Sequence, residues 1–157
     1  MSESSQSNAS LSSAIGRTLI SVSKDYAKPL QEFGVGDLVL VAESTALKSW
    51  TQKPVKFAMG TDARQKVLAK ISFGNQKQEI RYLIVTTDQP FLMRDGKLKK
   101  LSRLIPHSDE LVRADGTTVP IQSITLDWFS EDIKDIATSA GSTQSLDGHL
   151  ILANVLL

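Results

Sequence analysis

The sequence predicts an all-β domain, and three observations lead there. Short β-rich runs recur about every ten residues, separated by Gly, Pro, Asp and Asn, which is the spacing of strands and turns. Continuous apolar runs such as "YLIV" (82–85) and "LVLV" (38–41) read as strands buried on both faces. Helical periodicity is weak along the whole chain. In a chain of 157 residues, enough for one domain with a real core, doubly buried strands imply a compact and strongly curved sheet.

Taken in order, the first element is "RTLISVS" (17–23), which alternates and is β-branched. "DLVLVAE" (37–43) follows a Gly-Val-Gly turn, and "VKFAM" (55–59) follows a proline. "KVLAKISF" (66–73) and "EIRYLIVTT" (79–87) flank "GNQKQ" and read as a hairpin. "ELVRAD" (110–115), "TVPIQSITLDWF" (118–129) and "HLILANVLL" (149–157) complete the set. "KLKKLSRLI" (97–105) has leucines spaced for a turn or two of helix, with its lysines and arginine on a solvated face. "SEDIKDIATSAG" (130–141) reads as a short helix or an irregular connection. The first thirteen residues contain seven serines and form a serine-rich arm that cannot bury enough apolar surface to offset its ordering entropy. The expected organisation is therefore a disordered arm over 1–13 and a single β domain over 14–157.

Composition bounds the function. Eighteen basic and seventeen acidic residues give a formal net charge of +1, so no nucleic-acid partner is expected. No segment has the length and apolarity to span a membrane, and the start lacks the basic and apolar regions of a signal peptide. The default location is cytoplasmic, with signal-independent export left open. The absence of cysteine removes disulfides, thiolate nucleophiles and cysteine metal sites. The two histidines, His107 and His149, have no spacing that suggests a metal site, and no cofactor is expected.

The chain also echoes itself. "GVGDLVLVAES" and "PHSDELVRADG" place Asp37 and Asp109 72 residues apart, and Val39 with Leu111 and Ala42 with Ala114 share that offset. Aspartates in such turns cap backbone N–H groups. A repeated strand–turn–strand unit predicts two similar β-lobes about a pseudo-twofold axis.

"KPLQEFGVGDLVLVAE" (28–43), "LIVTTDQPFLMRDGKLKKLSRLIPHSDELVRADG" (83–116) and "DIATSAG…LDGHLILAN" resemble three segments of the Hint family, the Hedgehog/intein autoprocessing domains. The likeness runs from about Ser12 to Leu157, and the middle segment carries it best. It implies a horseshoe of curved antiparallel strands with pseudo-twofold symmetry. It also implies protein splicing or self-cleavage, in which a peptide bond rearranges to an ester or thioester at an N-terminal Ser or Cys. A Thr-x-x-His motif assists that step. Here the motif falls on Thr86, Thr87, Asp88 and Gln89, so glutamine stands where the family has histidine. Histidine holds and passes protons near neutral pH, and an amide does not. The nucleophile position falls at Ser12 or Ser13, and a serine hydroxyl needs an activating base. Some bacterial relatives have two histidines where this chain has Lys134 and Asp135, and the chain ends without a His-Asn pair.

Thr86, Gln89, Ser12, Ser13 and His149 are thus the degenerate catalytic candidates. Each also has a plain structural reading: Ser12 and Ser13 as part of the arm, Gln89 as a strand-end glutamine, His149 as the start of a strand. Two functions follow. In one the domain is a pseudoenzyme, a structural or interaction module. In the other it is a slow autoprocessing domain acting through Ser12 or Ser13. The partner is the chain itself or another protein.

Overall fold

The computed structural model describes residues 12–42, 49–61, 66–74, 80–113 and 116–138. The first half of the chain forms β1 (Ser12–Ile15), β2 (Leu19–Ser23), β3 (Tyr26–Pro29), a 3-10 turn (Leu30–Glu32), β4 (Leu38–Ala42), β5 (Trp50–Pro54), β6 (Phe57–Thr61) and β7 (Lys66–Phe73). The second forms β8 (Arg81–Val85), β9 (Pro90–Leu92), β10 (Leu98–Lys100), a 3-10 turn (Leu101–Arg103), β11 (Glu110–Val112), β12 (Thr118–Phe129) and β13 (Ile133–Ala137). Seven strands make one antiparallel sheet in the order β11-β12-β7-β8-β1-β13-β6, and β2-β3, β4-β5 and β9-β10 are hairpin pairs beside it.

The internal echo is a real pseudo-twofold, visible bond by bond. Thr18 N donates to Ile15 O, Leu30 N to Thr18 O and Gln31 N to Gly16 O. Seventy-one residues later Gln89 N donates to Thr86 O, Leu101 N to Gln89 O and Ser102 N to Thr87 O. Asp37 accepts Gly34 N at 2.9 Å and Lys28 Nζ at 3.2 Å. Asp109 accepts Ile105 N at 2.8 Å and Lys99 Nζ at 3.1 Å. Between Gly36 and Asp37 the second half inserts one residue, Ser108, which turns the offset of 71 into 72. The Gly34 amide and then the Lys28 ammonium hold Asp37 below the ordinary carboxylate pKa. Burial pulls Asp109 upward, but the Ile105 amide and Lys99 outweigh it, so its pKa is lowered too.

Ala14 pairs with Val85, and these two are themselves equivalent at an offset of 71, so the axis passes between β1 and β8. The two halves exchange their last strands. β7 of the first half pairs with β12 and β8, and β13 of the second pairs with β6 and β1. Each half completes the other's sheet, so neither closes its core alone.

Alternation along the strands sorts the apolar side chains onto two faces. Leu83 and Val85 join the main core with Ala14, Ile71 and Ile136. Ile84, between them, packs on the other face with Ile15, Leu68 and Ile133. "YLIV" is thus buried on both sides from Leu83 onward, as its apolar run requires. "LVLV" is not: Val39 and Val41 are fully buried, but Leu38 is 44% exposed, because β4 pairs in a two-stranded unit with one covered face.

Two local expectations are corrected. "KLKKLSRLI" forms β10 and a single 3-10 turn, because the first-half equivalent is likewise β3 followed by Leu30–Glu32. "SEDIKDIATSAG" supplies β13, drawn into strand by pairing with both β1 and β6. The β1 pairing also takes in Ser12 and Ser13, which the expected arm included. Residues 1–11, "HLILANVLL" and His149 lie outside the described residues.

Candidate functional site

The step after β8 is built by backbone bonds. β8 delivers Thr86 at the end of a buried run, and Gln89 N closes a turn onto Thr86 O at 3.1 Å. Leu101 N on Gln89 O (2.9 Å) and Ser102 N on Thr87 O (3.2 Å) tie the step to the second 3-10 turn. Gln89 is 1% exposed, and its Nε2 donates to Pro90 O at 2.8 Å. A buried amide must be hydrogen-bonded, and here the protein supplies the partner. Asp88 is exposed.

The twofold gives this corner a counterpart. Thr18 occupies the position equivalent to Gln89, is also buried, and donates its hydroxyl to Ile15 O at 2.7 Å. A buried polar side chain satisfied by a neighbouring carbonyl is therefore part of how this corner folds in both halves. Glutamine meets that structural demand at residue 89 without any acid–base capacity.

β1 is the other wall. In the antiparallel β1–β8 pair, the chain past Val85 runs beside the chain before Ala14, so Thr86 and Ser13 lie at the same end of adjacent strands. On its other side β1 pairs Ser12 with Ile136 and Ser13 with Asp135. Three of the sequence candidates, Ser12, Ser13 and Thr86, are thus gathered at one end of the sheet, with the turn to Gln89 springing from it. Two residues join them: Asp135, across from Ser13 and at a position where the family resemblance has a histidine, and Thr138, buried just past β13. The strand register is what sets Asp135 opposite Ser13, and register is not legible in "KDIAT". Among the described residues no group of His, Asp and Glu is arranged to hold a metal ion. No helix among the described residues is long and apolar enough to cross a membrane. A groove of about 640 Å³ lies elsewhere, between the β9–β10 hairpin and the Asp109 turn, lined by residues such as Met93, Arg94, Lys97 and Leu98.

No protein-family model matches the sequence, and no curated protein matches it. Solved structures do match the fold. The bacterial intein-like domain from Clostridium thermocellum superposes with a TM-score of 0.64 at 16% identity, over 82% of this chain and 86% of that one. A DnaB intein from Synechocystis sp. gives 0.62 at 20% identity, covering 80% and 86%. A mini-intein variant of Ssp DnaB gives 0.65 at 17% identity, covering 85% and 88%. With its antiparallel strands, exchanged halves and pseudo-twofold axis, the chain has the Hint fold of the inteins.

Proposed function

We propose that this Hint-fold domain no longer cleaves or splices its own chain and serves as a structural or interaction module. One observation carries the reading. The side chain at the Thr86–Gln89 step is a fully buried glutamine whose amide is committed to Pro90 O. In the Hint resemblance that position is a histidine. General acid–base assistance is worth about a hundred- to ten-thousand-fold in rate. Without it, a serine hydroxyl at Ser12 or Ser13 is a poor nucleophile, because little of it is ionised at neutral pH and the position that would hold the activating histidine holds Gln89.

A second reading, slow autoprocessing through Ser12 or Ser13, is favoured by the Ser13–Asp135 pairing, which brings a carboxylate to the strand beside a candidate nucleophile. The intact mass of the purified chain separates the two. A single mass held for days at neutral pH, with and without hydroxylamine, is expected. A fragment beginning at Ser12 or Ser13, or hydroxylamine-dependent cleavage there, would overturn the reading in favour of the second.

A further inference from the structure

β12 is longer than its partner strand on one side. β11 pairs only with Thr118–Pro120, so among the described residues Ser123–Phe129 has β7 on one side and an open edge on the other. Ile121 turns its backbone N–H and C=O to Asp109 and His107, away from β7. The bulge between Ile121 and Ser123 makes Ile124 repeat that orientation, and Leu126 and Trp128 follow by alternation. The Trp128 amide agrees, since it is taken by its neighbour's carboxylate, Asp127 Oδ1, at 2.8 Å. The open edge therefore offers backbone groups at Ile124, Leu126 and Trp128.

The same three residues form an apolar row on the core side of the sheet. Ile124 is packed against the core, but Leu126 is 59% and Trp128 61% exposed, and Val67, paired with Trp128, is exposed beside them. The fold does not demand this. Pairing places Gly60 and Asp132 in the other half where Leu126 and Val67 stand here, and that half folds around them. An open strand edge with an uncovered apolar row is a template for strand addition.

We propose that this edge pairs with the same edge of a second copy, antiparallel, about a twofold axis at Leu126. The sequence of the edge is self-complementary in that register. Leu126 meets its own counterpart, Ile124 meets Trp128, and Ser123 meets Phe129. On the opposite face Asp127 has no ion-pair partner among the described residues. In the pair it sits across from Thr125 of the other copy, whose neighbour on β7 is Lys70. Lys70 is exposed and its ammonium rests over the Tyr82 ring at 4.4 Å, so two Asp127–Lys70 attractions form when it turns from that ring across the short threonine. The contact ends before β11 begins, so β11 does not block it. A seven-residue strand pair is smaller than a standard interface of roughly 800 Å² per partner, so the dimer is expected to be weak and concentration-dependent. The inference does not depend on whether the Thr86–Gln89 step is active.

The test is sedimentation velocity of the full chain across a concentration series from micromolar to near millimolar. The unaltered protein should shift from monomer to dimer. Leu126→Lys and Trp128→Lys, both at exposed positions, should each raise the dissociation constant at least about tenfold with an unchanged melting temperature. Asp127→Lys should weaken the dimer, and adding Lys70→Asp should recover part of it. A protein monomeric over the whole range, or a dimer untouched by Leu126→Lys, would overturn the proposal. So would a monomer that uses this edge only for a different protein.

Discussion

Gly36 and His107 stand at equivalent turns, and the twofold predicts opposite outcomes for exchanging their chemistry. Both have left-handed backbones, Gly36 at φ 97° and His107 at φ 67°. Both donate the same bond, Gly36 N to Val55 O at 2.8 Å and His107 N to Ile121 O at 3.0 Å. A side chain in this region costs about 1–2 kcal/mol relative to glycine. A Cβ on Gly36 meets no atom within 4 Å, so Gly36→Ala pays the backbone term alone. The stiffer unfolded chain returns about 0.4–1 kcal/mol, leaving a net destabilisation of about 1 kcal/mol. His107→Gly runs the other way: it relieves the backbone and loses the unfolded-state term, a net gain of about 0.5 kcal/mol. For a domain of this size these correspond to a fall of about 3 °C and a rise of about 1–2 °C in melting temperature. Calorimetry or urea unfolding reads both. The reasoning fails if Gly36→Ala is neutral, or if His107→Gly destabilises the protein.

Three further outcomes follow from the same structure. Asp37 and Asp109 have folded pKa values below the ordinary 3.8, so each adds stability that is present above that value and lost as pH falls through the folded pKa. Melting temperature should therefore drop between about pH 5 and pH 3, and the drop should be shallower in Asp37→Asn/Asp109→Asn. Ile71 and Ile136 are fully buried and stand at equivalent places in the exchanged strands, so Ile71→Ala and Ile136→Ala should cost similar amounts, about 2–5 kcal/mol each by denaturant unfolding. Gln89→Met keeps the volume but removes the donor to Pro90 O, and should cost about 1–3 kcal/mol. A neutral result there would mean the amide is not needed by the fold.

The fold was largely legible, for local reasons. Alternation and turn residues mark the hairpin of β7 and β8, and the Asp37–Asp109 echo marks the twofold. Local signals failed where pairing decides. The helix-like spacing in "KLKKLSRLI" gave way to β10 and a 3-10 turn, and "DIKDIA" became β13 only because β1 and β6 flank it. The site was half legible. Thr86 and Gln89 announce themselves after an apolar strand, but the companionship of Ser13 and Asp135 depends on register between segments over a hundred residues apart. Nor does the sequence show that Thr18 and Gln89 are counterparts, because the two residues share no chemistry beyond a hydrogen-bonding group.

The central claim is that the Thr86–Gln89 step keeps its shape and has lost its proton carrier. The most direct measurement is the mass, followed for days at neutral pH, of the unaltered full chain beside Gln89→His combined with Ser13→Cys, and with Ser12→Cys. Histidine restores a group that titrates near neutrality, and cysteine supplies a nucleophile that ionises more readily than serine. The account predicts one unchanged mass for the unaltered chain and a new fragment, starting at the introduced cysteine, in one of the double variants. Cleavage of the unaltered chain before Ser12 or Ser13 would contradict it.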